Sequence, residues 1–152
     1  MRGFYGIGIW QPIKGVNVGT IWRSAQAFGA SFIFTVGTKY KRQSSDTTHA
    51  TRHIPLYQYE DTDDMIAHLP YDCPLIAIEF LPDATWLPSF SHLPRCAYIL
   101  GGENKTLGHQ VLDRCVATLY IPTAYCLNVA VAGSIVMYDR IAKGIDNKRE
   151  KM

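Results

Sequence analysis

The sequence predicts an α/β fold: a mostly parallel sheet with helices on both of its faces. Short apolar stretches alternate along the chain with segments whose apolar residues recur at spacings of three and four. Three of the apolar stretches also end in a segment that sets polar side chains in apolar surroundings. Strands that alternate with helices pair in parallel and are covered on both faces, and such sheets bind ligands where their strands end.

The elements follow one another in a regular order. The first strand is predicted over residues 4–10 and the first helix over 17–28, where Val18, Ile21 and Trp22 share one face and Gly29 provides the stop. Further strands are predicted at 31–36, 56–59, 75–80, 97–100 and 117–121. Further helices are predicted at 62–69, 108–114 and 127–143.

The connections between these elements differ in character. Residues 37–53 are polar and basic and predict a long loop, of the kind that is usually functional or mobile. Three prolines make the stretch 81–94 a loop, and residues 144–152 form a charged tail. Because no repeat, low-complexity segment or linker interrupts the chain, we expect residues 1–152 to form a single domain.

Composition favours an ordinary globular protein of the cytoplasm. The hydrophobic share of 47% and the charged share of 18% are typical of such domains, and a net charge of +2 does not by itself indicate nucleic acid. The four cysteines form no C-x-x-C pair and no signal peptide is visible, which together favour a reduced cytosol. The apolar run 127–138 is too short to span a bilayer.

Several common sites are excluded by their missing motifs. The chain has no G-x-x-x-x-G-K-[ST] phosphate loop, and its early glycines do not spell the dinucleotide pattern G-x-G-x-x-G. It also lacks the G-x-S-x-G of hydrolases and any cluster of metal ligands, so we expect no metal.

Polar residues at three strand ends predict a constructed pocket. They belong to the segments 17–23, 100–104 and 121–129, and they are Asn17, Arg23, Glu103 and Asn128. A polar group in apolar surroundings is costly unless it is paired or used.

Each of these residues taken alone has a simpler explanation. Asn17 and Asn128 can cap helices, Arg23 can be a solvated surface charge, and Glu103 can be a turn residue. The functional interpretation therefore depends on the joint pattern rather than on any single residue.

The joint pattern resembles a known family. The three segments are similar to the three motifs of the SpoU/TrmH family of RNA ribose methyltransferases, in the same order and over nearly the whole chain. The matching runs are Asn17-x-Gly19-x-Ile21-x-Arg23, then Gly101-Gly102-Glu103, then Ile121-Pro122 followed by Leu127-Asn128-Val129.

This resemblance implies a fold and an activity. It implies the SPOUT α/β-knot fold, with a deep trefoil knot in the C-terminal part of the sheet, and a homodimer with its site near the interface. It also implies S-adenosyl-L-methionine as cofactor and methyl transfer to a ribose 2′-hydroxyl of RNA, with tRNA preferred over rRNA. A non-catalytic RNA- or cofactor-binding protein on the same fold is the alternative, and a base-methylating enzyme is a third possibility.

The resemblance also implies roles for single residues. The catalytic set would be Arg23, Asn17, Glu103 and Asn128, with Glu103 and Asn128 fixing Arg23, Asn17 and the loops. The cofactor pocket would comprise Ile78, Gly101, Gly102, Ile121, Cys126 and Leu127. Cys126 stands where the family usually has serine, and the loop before it is shorter than usual. A guanidinium holds its proton in proteins, so Arg23 suits charge neutralisation better than proton abstraction.

Two surfaces are expected to meet partners. The basic residues of the long loop, which accompany the aromatic Tyr40, are as consistent with RNA contact as with plain solvation; they are Lys39, Lys41, Arg42, Arg52 and His53. The last helix is almost wholly apolar between residues 129 and 138, which favours a dimer through the first and last helices over a central core helix.

Overall fold

A computed structural model of the protein describes residues 3–41 and 53–144. Within these ranges seven strands form one sheet in the order β3-β2-β1-β6-β4-β7-β5. The strands are β1 (Phe4–Trp10), β2 (Phe32–Val36), β3 (Leu56–Tyr59), β4 (Leu75–Ile78), β5 (Thr85–Trp86), β6 (Arg95–Gly101) and β7 (Cys115–Tyr120). Each neighbouring pair in this order is parallel.

Helices cover both faces of the sheet. They are α1 (Gly15–Ala27), α2 (Thr62–His68), α3 (His109–Leu112) and α4 (Val129–Ala142). One core cluster joins α1 and α4 to the sheet, and a second cluster joins α2 and α3 to its opposite face. The predicted fold class, a parallel α/β sheet with helices on both faces, is confirmed, and the trefoil knot stays a prediction.

Strand β1 lies inside the sheet, between β2 and β6, and its two faces are packed differently. Tyr5 and Ile7 point into the cluster beneath α1 and α4 and are fully buried. On the other face Gly6 lies beneath the ring of Phe32, which occupies the space that a Cβ atom would need. Glycine is therefore required here because an aromatic ring lies directly on the backbone.

Helix α4 packs closely on α1. A Cβ atom on Gly133 would come within 2.6 Å of Ile21 Cδ1, so the missing side chain lets the two helices approach. The Ser134 hydroxyl donates to the Ser24 hydroxyl across the same contact (3.0 Å). The apolar surface of α4 exceeds what this packing buries, because Tyr138 remains 63% exposed.

The stretch 81–94, predicted as loop alone, contains regular structure. It forms the short strand β5, which pairs with the end of β7 at the edge of the sheet, and a 3-10 turn at Leu87–Ser89. Two residues are too few to show an alternating pattern, so the sequence carries no signal for such a strand. Burial of Leu87 (3% exposed) fixes the stretch against the core.

Near the end of α4 a completely buried charge fastens the helix to the same stretch. Arg140 donates hydrogen bonds to the carbonyl oxygens of Leu93 (2.7 Å) and Pro94 (2.9 Å) and to the Tyr98 hydroxyl (3.1 Å). Its guanidinium also lies 4.6 Å from the centre of the Tyr5 ring. Backbone carbonyls and an aromatic face thus replace the water that a buried cation loses.

His92 continues this network toward the surface. Its Nδ1 lies 2.6 Å from the Tyr98 hydroxyl, and its Nε2 lies 2.7 Å from the Asp139 carboxylate, which also pairs with Lys143. The two contacts fit a neutral ring that accepts from Tyr98 and donates to Asp139. Burial lowers the pKa of His92, and the hydrogen bond and charge of Asp139 offset only part of that effect.

We expect the protein to lose stability as the pH falls below about 6.5, the usual value for an unfolded histidine. His92 stays neutral in the folded chain while the unfolded chain takes up the proton, so acid favours unfolding until the lower folded pKa is passed. Urea unfolding at pH 7.5, 6.5 and 5.5 measures this slope (roughly the window of histidine titration). His92→Gln should flatten the slope and His109→Gln, at an exposed position of α3, should not; equal slopes in all three proteins would contradict the assignment.

Candidate active site

Three predicted cofactor residues lie side by side at the carboxyl edge of the sheet. Gly101 ends β6, Ile78 ends β4, and Ile121 directly follows β7. These strands are neighbours, with Ile78 opposite Leu100 on one side and Leu119 on the other. The carboxyl edge of a parallel sheet is where α/β proteins bind ligands. Their role in cofactor binding stays a prediction.

The loop after β6 is held against β1 by its backbone. The Gly102 amide donates to the Trp10 carbonyl (2.7 Å), and a Cβ atom on Gly102 would overlap the carbonyl of Gln11. A Cβ atom on Gly101 would lie 2.6 Å from the Lys105 carbonyl oxygen. Both glycines are therefore required by close approach of backbone to backbone.

Glu103, the next residue of this loop, binds the start of α1. One carboxylate oxygen accepts from the Ile13 amide (2.7 Å), and the other accepts from the Lys14 amide (3.2 Å) and from Asn17 Nδ2 (2.5 Å). Burial acts to raise the pKa of Glu103, but the hydrogen bonds from Asn17, Ile13 and Lys14 outweigh it, and the pKa falls below its usual value. A negative charge is also favourable at this positive end of the helix.

Asn17 is buried inside the first turn of α1. The helix begins at Gly15 with Lys14 as its N-cap, so the alternative that Asn17 caps it is wrong. The Asn17 side chain is used at both ends, because Nδ2 donates to Glu103 and Oδ1 accepts from Asn128 Nδ2 (3.0 Å). Asn17 is only 6% exposed, and a side-chain amide buried to this extent would destabilise the folded chain if it lacked these two hydrogen-bond partners.

Asn128 completes the set and caps α4. Its Oδ1 accepts from the amides of Ala130 (2.9 Å) and Val131 (3.2 Å), as an N-cap residue does. Through Asn17 it is linked to Glu103, and we refer to these three side chains as the Glu103–Asn17–Asn128 chain. The chain connects the loop after β6, the start of α1 and the start of α4.

Arg23 lies apart from the Glu103–Asn17–Asn128 chain. Its side chain is exposed, and it makes no hydrogen bond or ion pair with the residues that the structure describes. The contacts expected from Glu103 and Asn128 to Arg23 are therefore not formed. The helix accounts for this, because six residues of α1 separate Arg23 from Asn17 by about 9 Å along the axis.

The remaining predicted residues are more exposed. Cys126 and Leu127 lie in the connection between β7 and α4, and Leu127 is 37% exposed. Lys39, Lys41 and His53 are exposed on the segments that border the undescribed stretch. Arg42 and Arg52 lie outside the described residues.

Glu79 is a site residue that the sequence interpretation missed. It follows β4 directly, and its carboxylate accepts from the Leu107 amide (2.9 Å) and from the Phe80 amide (3.2 Å). The loop that begins at Gly101 is thus held by Glu79 near one end and by Glu103 near the other. The sequence predicts a strand over residues 75–80, but β4 ends at Ile78, so Glu79 is the first residue after the strand. The available signal was a charged residue next to an apolar run, comparable to Glu103 two residues after β6.

In residues 3–41 and 53–144, no three histidine, cysteine, aspartate or glutamate side chains lie close enough together to hold a metal ion. All four cysteines are unpaired. No helix in the described part of the chain is long and apolar enough to cross a membrane.

Solved structures with this arrangement of strands include RNA methyltransferases. An AdoMet-bound rRNA methyltransferase of Sinorhizobium meliloti is 26% identical, with a TM-score of 0.78 over 93% of this chain, which spans 57% of that enzyme's length. The TrmH/SpoU tRNA modifying enzyme of A. aeolicus is 14% identical, with a TM-score of 0.81 over 93% of this chain and 76% of its own. A structure concerned with the 2-OH methylation of C/U34 on tRNA is 22% identical, with a TM-score of 0.77 over 93% of this chain and 96% of its own.

Sequence comparison agrees with these likenesses. The model of the SpoU rRNA Methylase family matches residues 6–138, and the chain belongs to this family. No curated protein matches the chain. The resemblance inferred from the three segments is thereby confirmed.

We expect Glu103→Gln to destabilise the protein by about 1–2 kcal/mol, toward the low end for hydrogen bonds to a charged group because Glu103 is only partly buried. The substitution places an amide NH2 group opposite backbone N–H donors, where it cannot accept a hydrogen bond. It also removes the negative charge from the positive end of α1. Because its folded pKa is depressed, the contribution of Glu103 is present above about pH 4.3 and is lost as the pH falls through the folded pKa.

Urea unfolding at pH 7 and at pH 3, for wild type, Glu103→Gln and the exposed control Glu60→Gln, measures this contribution (about one unit or more on either side of a carboxylate's pKa). The difference between Glu103→Gln and wild type should shrink in acid, whereas Glu60→Gln should resemble wild type throughout. An unchanged stability of Glu103→Gln at pH 7 would show that the carboxylate does not hold α1.

Proposed function

We propose that this protein is an S-adenosylmethionine-dependent RNA methyltransferase that methylates a ribose 2′-hydroxyl, in tRNA in preference to rRNA. The observation that carries the proposal is the Glu103–Asn17–Asn128 chain, which joins all three motif segments at the carboxyl edge of one parallel sheet. Membership of the SpoU rRNA Methylase family supports RNA methylation. The AdoMet-bound S. meliloti enzyme supports the cofactor, and the motif resemblance supports the ribose as target.

The strand ends suit the adenine part of the cofactor. Ile78 and Ile121 provide apolar side chains at the ends of the adjacent strands β4 and β7, and the partly exposed Leu127 can close over a flat ring. Gly101 and Gly102 bring backbone amide and carbonyl groups to the same edge without side chains. When bound, S-adenosylmethionine supplies an activated methyl group, so the protein must orient two partners and manage one proton. Cys126 would lie beside the cofactor.

Glu103, Asn17 and Asn128 act in this proposal as positioning residues. Their polar atoms are already engaged with one another and with the ends of α1 and α4. A carboxylate that accepts three hydrogen bonds and has a lowered pKa is a poor proton acceptor. These three residues instead hold the loop after β6 and the starts of α1 and α4 in fixed relative positions, as the residues that support a reactive site must.

Arg23 is the residue proposed to meet the RNA. Its guanidinium is exposed on α1 and can hold a phosphate through two parallel hydrogen bonds. The charge that it supplies would stabilise the ribose oxygen as the hydroxyl proton passes to water and the oxygen takes the methyl group. Exposed Lys39, Lys41 and His53, together with Arg42 and Arg52, would contribute further phosphate contacts.

We also propose a homodimer through α1 and α4. An apolar groove of about 300 Å³ lies between these helices and is lined by Thr20, Ala130, Val131, Ser134, Ile135 and Tyr138. Val16, Val131 and Tyr138 leave 52%, 47% and 63% of their surface exposed around it. A second copy of the same face would cover this patch. Arg23 follows Val16 and Thr20 on the same face of α1, so the proposed RNA contact would lie beside the interface.

Methyl transfer to bulk tRNA and to rRNA, followed by mass spectrometry of the ribose-methylated nucleosides, tests the activity. Under single-turnover conditions Arg23→Ala should lower the rate about 10²–10⁴-fold, the usual range for one positioned group. Cofactor affinity measured by calorimetry with chelator present should be unchanged, because Arg23 lies away from the strand ends. Arg23→Lys should not restore the rate, since an ammonium cannot form the planar pair of hydrogen bonds.

Arg114→Ala, which removes another exposed arginine from the loop after α3, is the matched control and should retain wild-type activity. Normal turnover in Arg23→Ala would remove Arg23 from the reaction. Cofactor binding by the wild type without any methyl transfer would favour the non-catalytic alternative, which the isolated position of Arg23 keeps open. A methylated base in place of a methylated ribose would overturn the proposed target.

The dimer is tested by sedimentation at micromolar concentration. Wild type should sediment with twice the 17.1 kDa chain mass, whereas Val131→Glu, which sets a charge in the apolar patch, should shift to monomer. Val116→Glu introduces the same charge at an exposed valine on β7 and should leave the mass unchanged. A wild-type protein that sediments as a monomer and is fully active would exclude this assembly.

A further inference from the structure

Trp22, the neighbour of Arg23 on α1, is held between two segments that are distant from it in sequence. Its ring meets the edge of Tyr40, with the ring centres 5.8 Å apart and the planes at 71°. Its indole Nε1–H donates to the Ile54 carbonyl (3.2 Å), and the Tyr40 amide donates to the Gln58 side chain (2.8 Å). Tyr40 is therefore fixed on the surface of α1 by an aromatic contact and by its own backbone.

The hydroxyl of Tyr40 is an anomaly in this arrangement. It is shut off from solvent, and it has no hydrogen-bond partner among the residues that the structure describes. It lies 3.3 Å from the position that a Cβ atom on Gly19 would take. Buried hydroxyls are nearly always paired, because leaving one unpaired destabilises the folded chain. A phenylalanine would keep the ring contact with Trp22 and avoid this cost.

The position of the hydroxyl relates it to Arg23. Gly19 and Arg23 are four residues apart in α1, so they share one face of the helix. Helical side chains lean toward the N-terminus, so a residue at position 23 is directed toward the turn that contains Gly19. Because Gly19 has no side chain, the Tyr40 hydroxyl comes close to that turn. Arg23, whose exposed guanidinium lacks a partner in the described part of the chain, is the donor that this face of α1 places one turn from Gly19.

We propose that Tyr40 is a positioning residue for Arg23. Its hydroxyl oxygen accepts a hydrogen bond from the guanidinium when Arg23 engages RNA, and the remaining guanidinium N–H groups are thereby aimed at the substrate. A guanidinium has donors only, so a neutral acceptor can orient it without cancelling its charge. This inference rests on the proposed function, since it gives Tyr40 a part in the same methyl transfer.

The substitution Tyr40→Phe tests the inference because it should move two properties in opposite directions. Removing an unpaired buried hydroxyl should leave the thermal midpoint unchanged or raise it. Single-turnover methyl transfer should nevertheless slow by roughly tenfold, the effect of losing one hydrogen bond to a charged group. The dissociation constant of the cofactor should not change. Tyr57→Phe removes an exposed hydroxyl from β3 and should match wild type in all three measurements.

A double-mutant cycle shows whether Tyr40 acts through Arg23. In the Arg23→Ala background Tyr40→Phe should have no further effect on the rate, because the group that it orients is gone. An equal slowing in both backgrounds would overturn the inference, as would a lower thermal midpoint that accompanies the lost rate. A normal rate in Tyr40→Phe beside an Arg23-dependent wild type would overturn it and leave the proposed function intact. A wild type that transfers no methyl group to RNA would overturn both.

Discussion

The hydrogen bond between Glu103 and Asn17 is the interaction on which the arrangement of the site depends. Strand order alone brings the ends of β6, β4 and β7 to one edge, but it does not fix how α1 and α4 begin there. Glu103 binds the first turn of α1. Asn17 in that turn accepts a hydrogen bond from Asn128, which caps α4, so the two helix starts are fixed relative to each other. The hydrogen bonds of Glu103, Asn17 and Asn128 thus fix the helix starts beside the neighbouring strand ends, and the pocket has defined walls.

Much of this arrangement was predictable from the sequence, and the reasons are local. Alternation of strands and helices gave the parallel sheet, because periodicity reflects which face of each element is buried. Ile78, Gly101 and Ile121, which the family resemblance assigns to the cofactor, lie together because strand ends in parallel sheets converge, and their role in binding stays a prediction. The pairing of Asn17 with Glu103 follows from the same edge, although the sequence could not give the direction of each hydrogen bond.

The features that sequence reasoning missed depend on contacts between distant residues. Arg23 was expected beside Glu103, but the helix carries it away from the Glu103–Asn17–Asn128 chain. Strand β5 exists because the end of β7 offers it a partner, which two residues cannot signal by themselves. The burial of Arg140 depends on carbonyls and a tyrosine that lie more than forty positions earlier in the chain.

Helix α4 is attached at both ends, by Asn128 to Asn17 and by Arg140 to the stretch before β6, and neither attachment is local in sequence. This has a consequence for the order of folding. The core beneath α1 stays incomplete until the last described helix has been synthesised and has docked, and closing such long loops is entropically slow. During translation the earlier strands therefore expose the apolar face of β1 for longer than a fold with local contacts would, which raises the risk of aggregation before α4 docks.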